Sequence, residues 1–254
     1  MATPVAGSDS GPSTPHPVPR FFHPDPLIAQ TCVALAPAAA RHVQVLRVQP
    51  GDEICLFNGA GGEWSARIEH MGRKDVTVNV REHQAIEREA PNQVVLAVGM
   101  PANERMDWLV EKATELGVAR LVPLMTERSV LRLHAERALK RQAHWQALAH
   151  AACEQCGRNR PPTIELPQSL GQFLALDHGP AAKRLLSLAP SATPRHPTPS
   201  HVTVLSGPEG GLSQAEEALA LAAGFVPWQL GPRTLRAETA ALAALTLCAE
   251  AAPM

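Results

Sequence analysis

Two glycine-rich segments near the C-terminal end of the chain carry the residues best suited to ligand binding and proton transfer. In the first, Gly207 and Gly210 leave backbone amides uncovered, and Glu209 places a carboxylate beside them. The second, residues 231–239, holds two arginines followed by Glu238. A phosphate-binding loop would carry a lysine, and the sequence contains neither GxxxxGKS/T nor GxGxxG. Glycines with a carboxylate and apolar flanks favour a flat, partly cationic ligand, although Gly-Pro turns also serve simply as connections.

The pattern around these segments predicts the elements that hold them in place. Apolar runs at 202–205 and 225–230 are typical of buried strands. Between them, Ser213 and Glu216 have capping-box spacing and Gly224 is a C-cap, which predicts a helix. In an open α/β sheet, loops at the carboxyl ends of strands line the ligand crevice, so we expect both segments to face one site.

Along the rest of the chain the apolar pattern changes once, from one typical of short strands to one in which strands alternate with helices. From Phe21 to about Glu89 short strands predominate, including a hairpin across a glycine turn at 58–62. From Val94 onward, strands alternate with helices, which predicts a parallel sheet. The predicted strands lie at 94–99, 121–125, 163–166 and 184–188, and the predicted helices at 103–116 (capped by Asn103), 135–156, 170–176 and 238–251.

The composition limits the classes of function. A formal charge of −1 argues against a uniformly basic nucleic-acid coat. Residues 128–160 nevertheless carry seven Arg or Lys against two acids, which suits either phosphate contact or a solvated helix face. Residues 1–19 are predicted to be a disordered tail, and 190–200 a surface loop. No apolar run approaches the ~20 residues of a membrane span and no secretory signal is recognisable, so we expect a cytoplasmic protein that does not contact a membrane.

The five cysteines are scattered, unlike those of a disulfide framework. Cys153 and Cys156 form a CxxC pair, but no second pair exists, and His150 brings the possible metal ligands to three at most. Helix packing is therefore favoured over zinc or redox chemistry, and we expect no metal.

Longer stretches of the sequence resemble one protein family. LSGPEGG at 205–211 and LGPRTLRAETA at 230–240 resemble the RsmE family of the SPOUT superfamily, the small-subunit rRNA uridine-N3 methyltransferases. Further matches in order are RFFHP (20–24), HVQVLR (42–47), EKATELGV (111–118), PLMTERS (123–129) and AACEQCGRNRPP (151–162). Together they extend from about Arg20 to the end of the chain. One departure is Ala237, where this family more often has a threonine.

The resemblance implies S-adenosylmethionine (SAM) as cofactor and N3 of a uridine in 16S rRNA, free or in the small ribosomal subunit, as methyl acceptor. It also implies an α/β SPOUT-type domain with a parallel sheet and a C-terminal trefoil knot, which pattern reasoning would not propose. A PUA-like β-barrel that binds RNA would precede it. We therefore expect a tail at 1–19, the barrel at 20–89 and the methyltransferase domain at 90–254. That domain would form a homodimer, with close packing permitted by Ala240, Ala241, Ala243 and Ala244.

Methylation at N3 requires loss of the N3 proton, stabilisation of the charge that spreads onto O2 and O4, and alignment of the methyl donor. Glu238 is the predicted base or orienting group. Arg236 is the predicted partner of the uracil oxygens or of a flanking phosphate, because a guanidinium presents a fork of donors to planar acceptors. In the alternative interpretation, Arg233 and Arg236 pair with Glu238 as a structural salt bridge.

Under this resemblance we expect the cofactor to contact Leu205, Gly207, Glu209, Gly210, Leu230, Gly231, Leu235 and Thr239. We expect RNA to contact Arg20, His23, His42, Arg47, Arg128, Arg158 and Arg160, with a capped or packed imidazole as the alternative for His23. Two other functions stay open. One is a ribose 2′-O methyltransferase, which usually carries an Asn-x-Ser-type stretch where this chain has Arg236 to Thr239. The other is a non-catalytic ribosome-assembly factor that binds RNA, against which the intact loops argue and which SAM binding would separate from an enzyme.

Overall fold

The computed structural model describes residues 18–73, 75–129, 131–133, 135–177, 179, 181–188 and 200–249 of the 254-residue chain. Most of the predicted tail at 1–19 and of the predicted loop at 190–200 lies outside the described residues. Within them the chain forms two sheets, the first ending at Gln84 and the second beginning at Gln93.

The first sheet has five strands in the order β1-β3-β4-β5-β2, with β1 parallel to β3 and the other pairs antiparallel. The predicted hairpin is confirmed as β3 and β4. The expected run of strands is interrupted by a helix, α1, because three of its apolar residues recur with helical spacing and are buried in the core of this sheet. The elements are β1 (Arg20–Phe22), β2 (Cys32–Ala34), α1 (Pro37–Val45), β3 (Glu53–Phe57), β4 (Glu63–Met71) and β5 (Val76–Gln84).

The second sheet is parallel throughout, as predicted, with the order β12-β10-β11-β6-β7-β8 and with β9 also paired to β7. Its strands are β6 (Gln93–Gly99), β7 (Arg120–Met125), β8 (Thr163–Ile164), β9 (Gln168–Ser169), β10 (Ala182–Leu186), β11 (His201–Ser206) and β12 (Val226–Trp228). Its helices are α2 (Asn103–Glu115), α3 (Ala135–Cys156), α4 (Leu170–Leu174), α5 (Gln214–Ala222) and α6 (Ala237–Ala249).

Helix α2 follows its predicted pattern but not its predicted cap. Met106 and Leu109 point into the core as part of one apolar face, and Gly117, at φ +88°, follows its end. The helix begins at Asn103, so the cap position belongs to Ala102, whose backbone N–H lies 3.4 Å from a carboxylate oxygen of Glu209. In contrast, the predicted capping box of α5 is present.

Helix α6 corrects the expectation about its alanines. Ala241 and Ala244 are buried in the core of this chain, where α6 packs against β6, β11 and α2. Small side chains here permit close approach of the helix to its own sheet. Those two positions are therefore not available to a second subunit.

A network of hydrogen bonds joins the two sheets. Glu63 accepts hydrogen bonds from Arg20 and Arg88, and both arginines also donate to the backbone oxygen of Gly157 after α3. Arg20 donates further to the side chain of Asn159 at 2.6 Å. Burial alone raises the pKa of Glu63, but the hydrogen bonds and charges of Arg88 and Arg20 outweigh this and lower it to about 2.

We expect Glu63→Gln to lower the free energy of unfolding by about 3 kcal/mol, because it leaves Arg20 with an uncompensated buried charge. The wild-type contribution of Glu63 is fully present above its ordinary pKa of 4.5 and is lost as the pH falls toward 2, since the folded-state pKa is depressed. Urea unfolding from pH 7 to pH 3 measures both effects. Glu82→Gln, at an exposed position on β5, is the control; equal stability of the two variants at pH 7 would contradict this account.

Candidate active site

The two glycine-rich segments meet at the carboxyl ends of β10, β11 and β12 and enclose a cavity of about 350 Å³, which we call the loop cavity. Its walls are residues 206–212 of the first segment, residues 186–188 after β10, Trp228, and Leu230, Gly231, Arg233, Thr234 and Leu235 of the second. Six of the eight predicted cofactor residues line it. The other two are Leu205, whose side chain is buried in β11, and Thr239, which lies in a neighbouring cleft.

Close backbone contacts shape the first segment. A Cβ atom on Gly207 would lie 2.8 Å from the backbone nitrogen of Leu212, so only glycine fits without a shift. A Cβ atom on Gly99 would lie 2.4 Å from a ring carbon of Pro208, which shows that this segment packs tightly against the end of β6. The segment therefore presents bare backbone toward the cavity.

Arg128 fixes the same segment from outside. Its guanidinium donates to the backbone oxygens of Gly210 at 2.8 Å and Leu212 at 3.3 Å. Both bonds use Nη1 and the residue is exposed, so the predicted contact of Arg128 with RNA stays a prediction. The residue is a support of the loop cavity.

A second opening, the α2–α6 cleft, lies beside the loop cavity. It has a volume of about 390 Å³ and is lined by Glu104, Arg105, Trp108, Arg236, Glu238 and Thr239. Ala237 lines the loop cavity, whereas its neighbours Arg236 and Glu238 line the cleft. The first turn of α6 thus forms a wall shared by both openings.

Glu238 is 8% exposed, and its Oε2 atom is buried without a hydrogen-bond partner among the described residues. Its Oε1 atom lies 3.9 Å from the guanidinium of Arg105. Within the described part of the chain, neither Arg233 nor Arg236 forms an ion pair with Glu238, so the alternative of a salt bridge among these three residues is wrong for this structure. Glu238 is left with one oxygen free to accept a proton.

Two of the predicted RNA contacts are buried and structural. Arg158 is 5% exposed and donates to the backbone oxygens of Thr114 and Val118 and to the carboxylate of Glu89. Arg20 is occupied in the network between the two sheets. Both assignments are corrected here, because a side chain whose donors are used inside the protein does not present them to a phosphate.

The other residues that were predicted to contact RNA differ in how exposed their side chains are. His23 is 5% exposed, and burial lowers its pKa more than Asp25 raises it, which agrees with a packed imidazole. His42 is half-exposed with Nδ1 3.3 Å from Glu154, and Arg47 follows α1 with an exposed side chain. Arg160 is exposed and donates to Glu87 at 3.0 Å. Of these residues, His42, Arg47 and Arg160 therefore reach the surface.

The CxxC pair packs at the end of α3. Cys153 is buried, and its hydrogen bond to Cys156 raises the pKa of Cys153 and lowers that of Cys156. His150 stacks on Phe22 with the rings 3.8 Å apart, and burial lowers its pKa to about 4. In the ranges that the structure covers, no group of three His, Cys, Asp or Glu side chains is arranged to hold a metal ion. The described helices also include none with the length and apolar character needed to cross a membrane.

Sequence reasoning missed several residues of the site, namely Leu186, Ser187, Leu188 and Trp228 in the loop cavity and Glu104, Arg105 and Trp108 in the cleft. The predicted strand at 184–188 carried a signal, because its carboxyl end had to lie near a ligand crevice. The residues of α2 gave no such signal, since they precede both glycine-rich segments by about a hundred positions.

Comparison with solved structures supports the two-part architecture. A putative methyltransferase from Legionella pneumophila, solved with bound SAM, is 36% identical with a TM-score of 0.87 and covers 91% of this chain and 96% of its own. A ribosomal RNA small subunit methyltransferase E from Neisseria gonorrhoeae bound to SAM is 35% identical with a TM-score of 0.85 and covers 90% and 96%.

Comparison of sequences identifies the family. A family model described as an RNA methyltransferase domain matches residues 88–249, and one described as an RNA methyltransferase PUA domain matches 35–81. A ribosomal RNA small subunit methyltransferase E from Synechocystis is 34% identical over 226 residues, spanning 86% of this chain and 73% of the relative. The Bacillus subtilis protein of the same name is 31% identical, spanning 80% and 84%. The chain therefore belongs to the ribosomal RNA small subunit methyltransferase E family.

Proposed function

We propose that this protein is a SAM-dependent methyltransferase that modifies N3 of a uridine in the 16S rRNA of the small ribosomal subunit. The observation that carries the proposal is the buried Oε2 atom of Glu238, unpartnered among the described residues. Glu238 lines a cleft that also contains Arg236 and shares a wall with the loop cavity. A carboxylate that can accept a proton and a guanidinium that can donate hydrogen bonds to planar oxygens thus lie beside the loop cavity.

The loop cavity fits SAM chemically. Gly207, Gly210 and Gly211 line it and carry no side chain to cover their backbone amides. Apolar walls from Leu186, Trp228 and Leu230 suit an adenine ring, and Glu209 adds a negative charge opposite a cationic ligand. SAM, when bound, supplies the methyl group.

The residues of the cleft supply the acid–base chemistry. Glu238 accepts the N3 proton of the target uracil, and Arg236 donates to the uracil oxygens onto which negative charge spreads. Glu238 is 8% exposed, so its interaction with the base is screened less by water than one at the surface. The target base must leave its stack to reach this cleft, at a cost of a few kcal/mol, which contacts between RNA and the rest of the protein offset.

We propose that the N-terminal part supplies most of these contacts through His42 and Arg47, and that Arg160 of the methyltransferase domain adds a further contact with RNA. The proposed division is a tail at 1–19, a PUA-like β-barrel at 20–89 and the methyltransferase domain at 90–254. The break between the two sheets after Gln84 supports the boundary.

The function is tested by mapping methylated uridines in small-subunit rRNA by mass spectrometry, comparing a strain lacking the gene with the wild type. We expect one N3-methyluridine to disappear and to return when the gene is supplied. Loss of a ribose 2′-O-methyl group instead, or no change in methylation, would refute the proposal.

We also propose that the methyltransferase domain contains a trefoil knot and forms a homodimer. The order of the second sheet supports the knot, because the chain passes from β11 across β10 to β12 before α6 returns to β6 and β11. The outer faces of α2 and α6 expose Trp108 and Leu247, at 45% and 55%, which supports a contact with a second copy.

We expect Leu247→Arg to convert the dimer to a monomer, because it places an unpaired charge in that contact. Light scattering at micromolar concentration measures the mass. Leu139→Arg, at a position on α3 that is 57% exposed, is the matched control and is expected to stay dimeric. A monomeric wild type would contradict the dimer.

A further inference from the structure

Arg105 lies between the two carboxylates of the site. It is located in the first turn of α2, and its Nη1 atom is 3.4 Å from Oε1 of Glu209 and 3.9 Å from Oε1 of Glu238. Glu209 belongs to the wall of the loop cavity and Glu238 to the α2–α6 cleft. One guanidinium therefore lies between a residue of each opening.

The charges explain why a cation is needed at this point. Two carboxylates near the same site repel each other, and a cation placed between them offsets that repulsion. The side chain of Glu238 is 10% exposed and that of Glu209 is 31% exposed. Among the described residues, Arg105 is the cation that lies within ion-pair distance of both carboxylates. Without it, neither carboxylate would have a cation at this distance.

The fold does not depend on this arginine. Its side chain is 44% exposed, and ion pairs at such exposure contribute little to stability because water screens them. Helix α2 is held by its apolar face, which includes Met106 and Leu109, both buried. The contacts of Arg105 are therefore directed at the site and not at the core.

We propose that Arg105 is a positioning residue that fixes the glycine-rich segment and the proton acceptor relative to each other. This inference rests on the proposed function, in which Glu238 accepts the N3 proton. It adds that the α2 helix, far from the two segments in sequence, aligns the SAM-binding loop with the base. Arg105 itself touches neither the reacting nitrogen nor the methyl donor.

The test compares Arg105→Met, which removes the charge and keeps the length, with Arg105→Lys, which keeps the charge. Single-turnover methylation of small ribosomal subunits is measured at saturating SAM, and SAM affinity is measured by calorimetry. For Arg105→Met we expect the rate to fall by about tenfold and SAM affinity to fall with it at an unchanged melting temperature, because a small misplacement of the loop and the acceptor is costly. Arg105→Lys is expected to restore most of the wild-type rate and affinity.

Arg120→Met is the matched control. It removes an ion pair with Glu165 of similar exposure and length, 3.6 Å, on the same sheet but away from the site. We expect its melting temperature, methylation rate and SAM affinity to match those of the wild type. An Arg105→Met variant that keeps both the rate and the SAM affinity of the wild type, or an Arg105→Lys variant as impaired as Arg105→Met, overturns the proposal.

Double variants separate this inference from the proposed function. If Glu238 is the group that Arg105 acts on, Arg105→Met causes no further loss of rate in a Glu238→Gln background. The contact with Glu209 is tested without measuring catalysis. SAM affinity is determined by calorimetry for Arg105→Met, for Glu209→Gln and for the double variant. If the two single effects add in the double variant, Arg105 is not coupled to the loop through Glu209. A Glu238→Gln protein with full activity overturns the base assignment while leaving the loop coupling measurable.

Discussion

Glu238→Gln is expected to lower the single-turnover rate of methylation by about 10²–10⁴-fold, the range typical of general-base loss. The amide keeps the size of the side chain but does not take up the N3 proton at neutral pH. SAM affinity should change little, because Glu238 lines the α2–α6 cleft and not the loop cavity. Quenched-flow methylation and calorimetry measure the two quantities separately.

The pH dependence of this variant identifies the missing step. Uracil N3 ionises by itself in alkaline solution, so raising the pH should partly restore the rate of Glu238→Gln. Arg236→Lys is the informative comparison, because it keeps a positive charge but loses the planar fork of donors. Its RNA affinity and its rate should both fall without alkaline rescue. If Glu238→Gln instead loses SAM binding, the glutamate is structural and another group or water takes the proton.

Gly231→Val is expected to abolish SAM binding while the protein stays folded. Gly231 has φ +147°, a conformation that residues with a side chain rarely adopt, and a Cβ atom there meets no protein atom within 4 Å. The valine would therefore project into the loop cavity, where it competes with the ligand for space. Calorimetric titration with SAM, together with a melting curve, measures the effect.

The control for this variant is Gly179→Val. Gly179 also has a positive φ, +60°, and also has no protein atom within 4 Å of a Cβ atom, but it lies in the connection before β10, away from the loop cavity. It carries a comparable backbone strain of about 1–3 kcal/mol without obstructing the site. Near-normal SAM affinity in folded Gly231→Val would remove the second segment from the cofactor site.

The parallel sheet and most of its helices could be predicted from the sequence, because each apolar pattern indicates which residues are buried locally. Met106 and Leu109 recur with helical spacing, and α2 forms where they predict it. The order of the strands did not follow, since nothing in the apolar run of β10 indicates that it lies between β11 and β12. Helix α1 was missed because it is short and its alanines give little contrast between buried and exposed faces.

The site could be predicted in part for a related reason. The glycines of the two segments mark the loop cavity, because special backbone geometry requires a particular residue type. Arginines give no comparable signal, because the same residue type has different surroundings at each position. Arg158 donates to buried backbone oxygens, Arg128 donates to the loop, and Arg236 lines a solvent-facing cleft. Only the fold shows which acceptors each of them reaches. Arg105 could not be found from sequence for the same reason.

In the first turn of α6, adjacent positions are under separate constraints because they line different openings. Residues 236 and 238 line the α2–α6 cleft, whereas the residue between them lines the loop cavity. The alanine at position 237 leaves that side of the wall without a hydroxyl, and a threonine there would add one to the loop cavity alone. Under the proposed function, a substitution at position 237 would therefore change the surface offered to the cofactor while Arg236 and Glu238 stay unchanged.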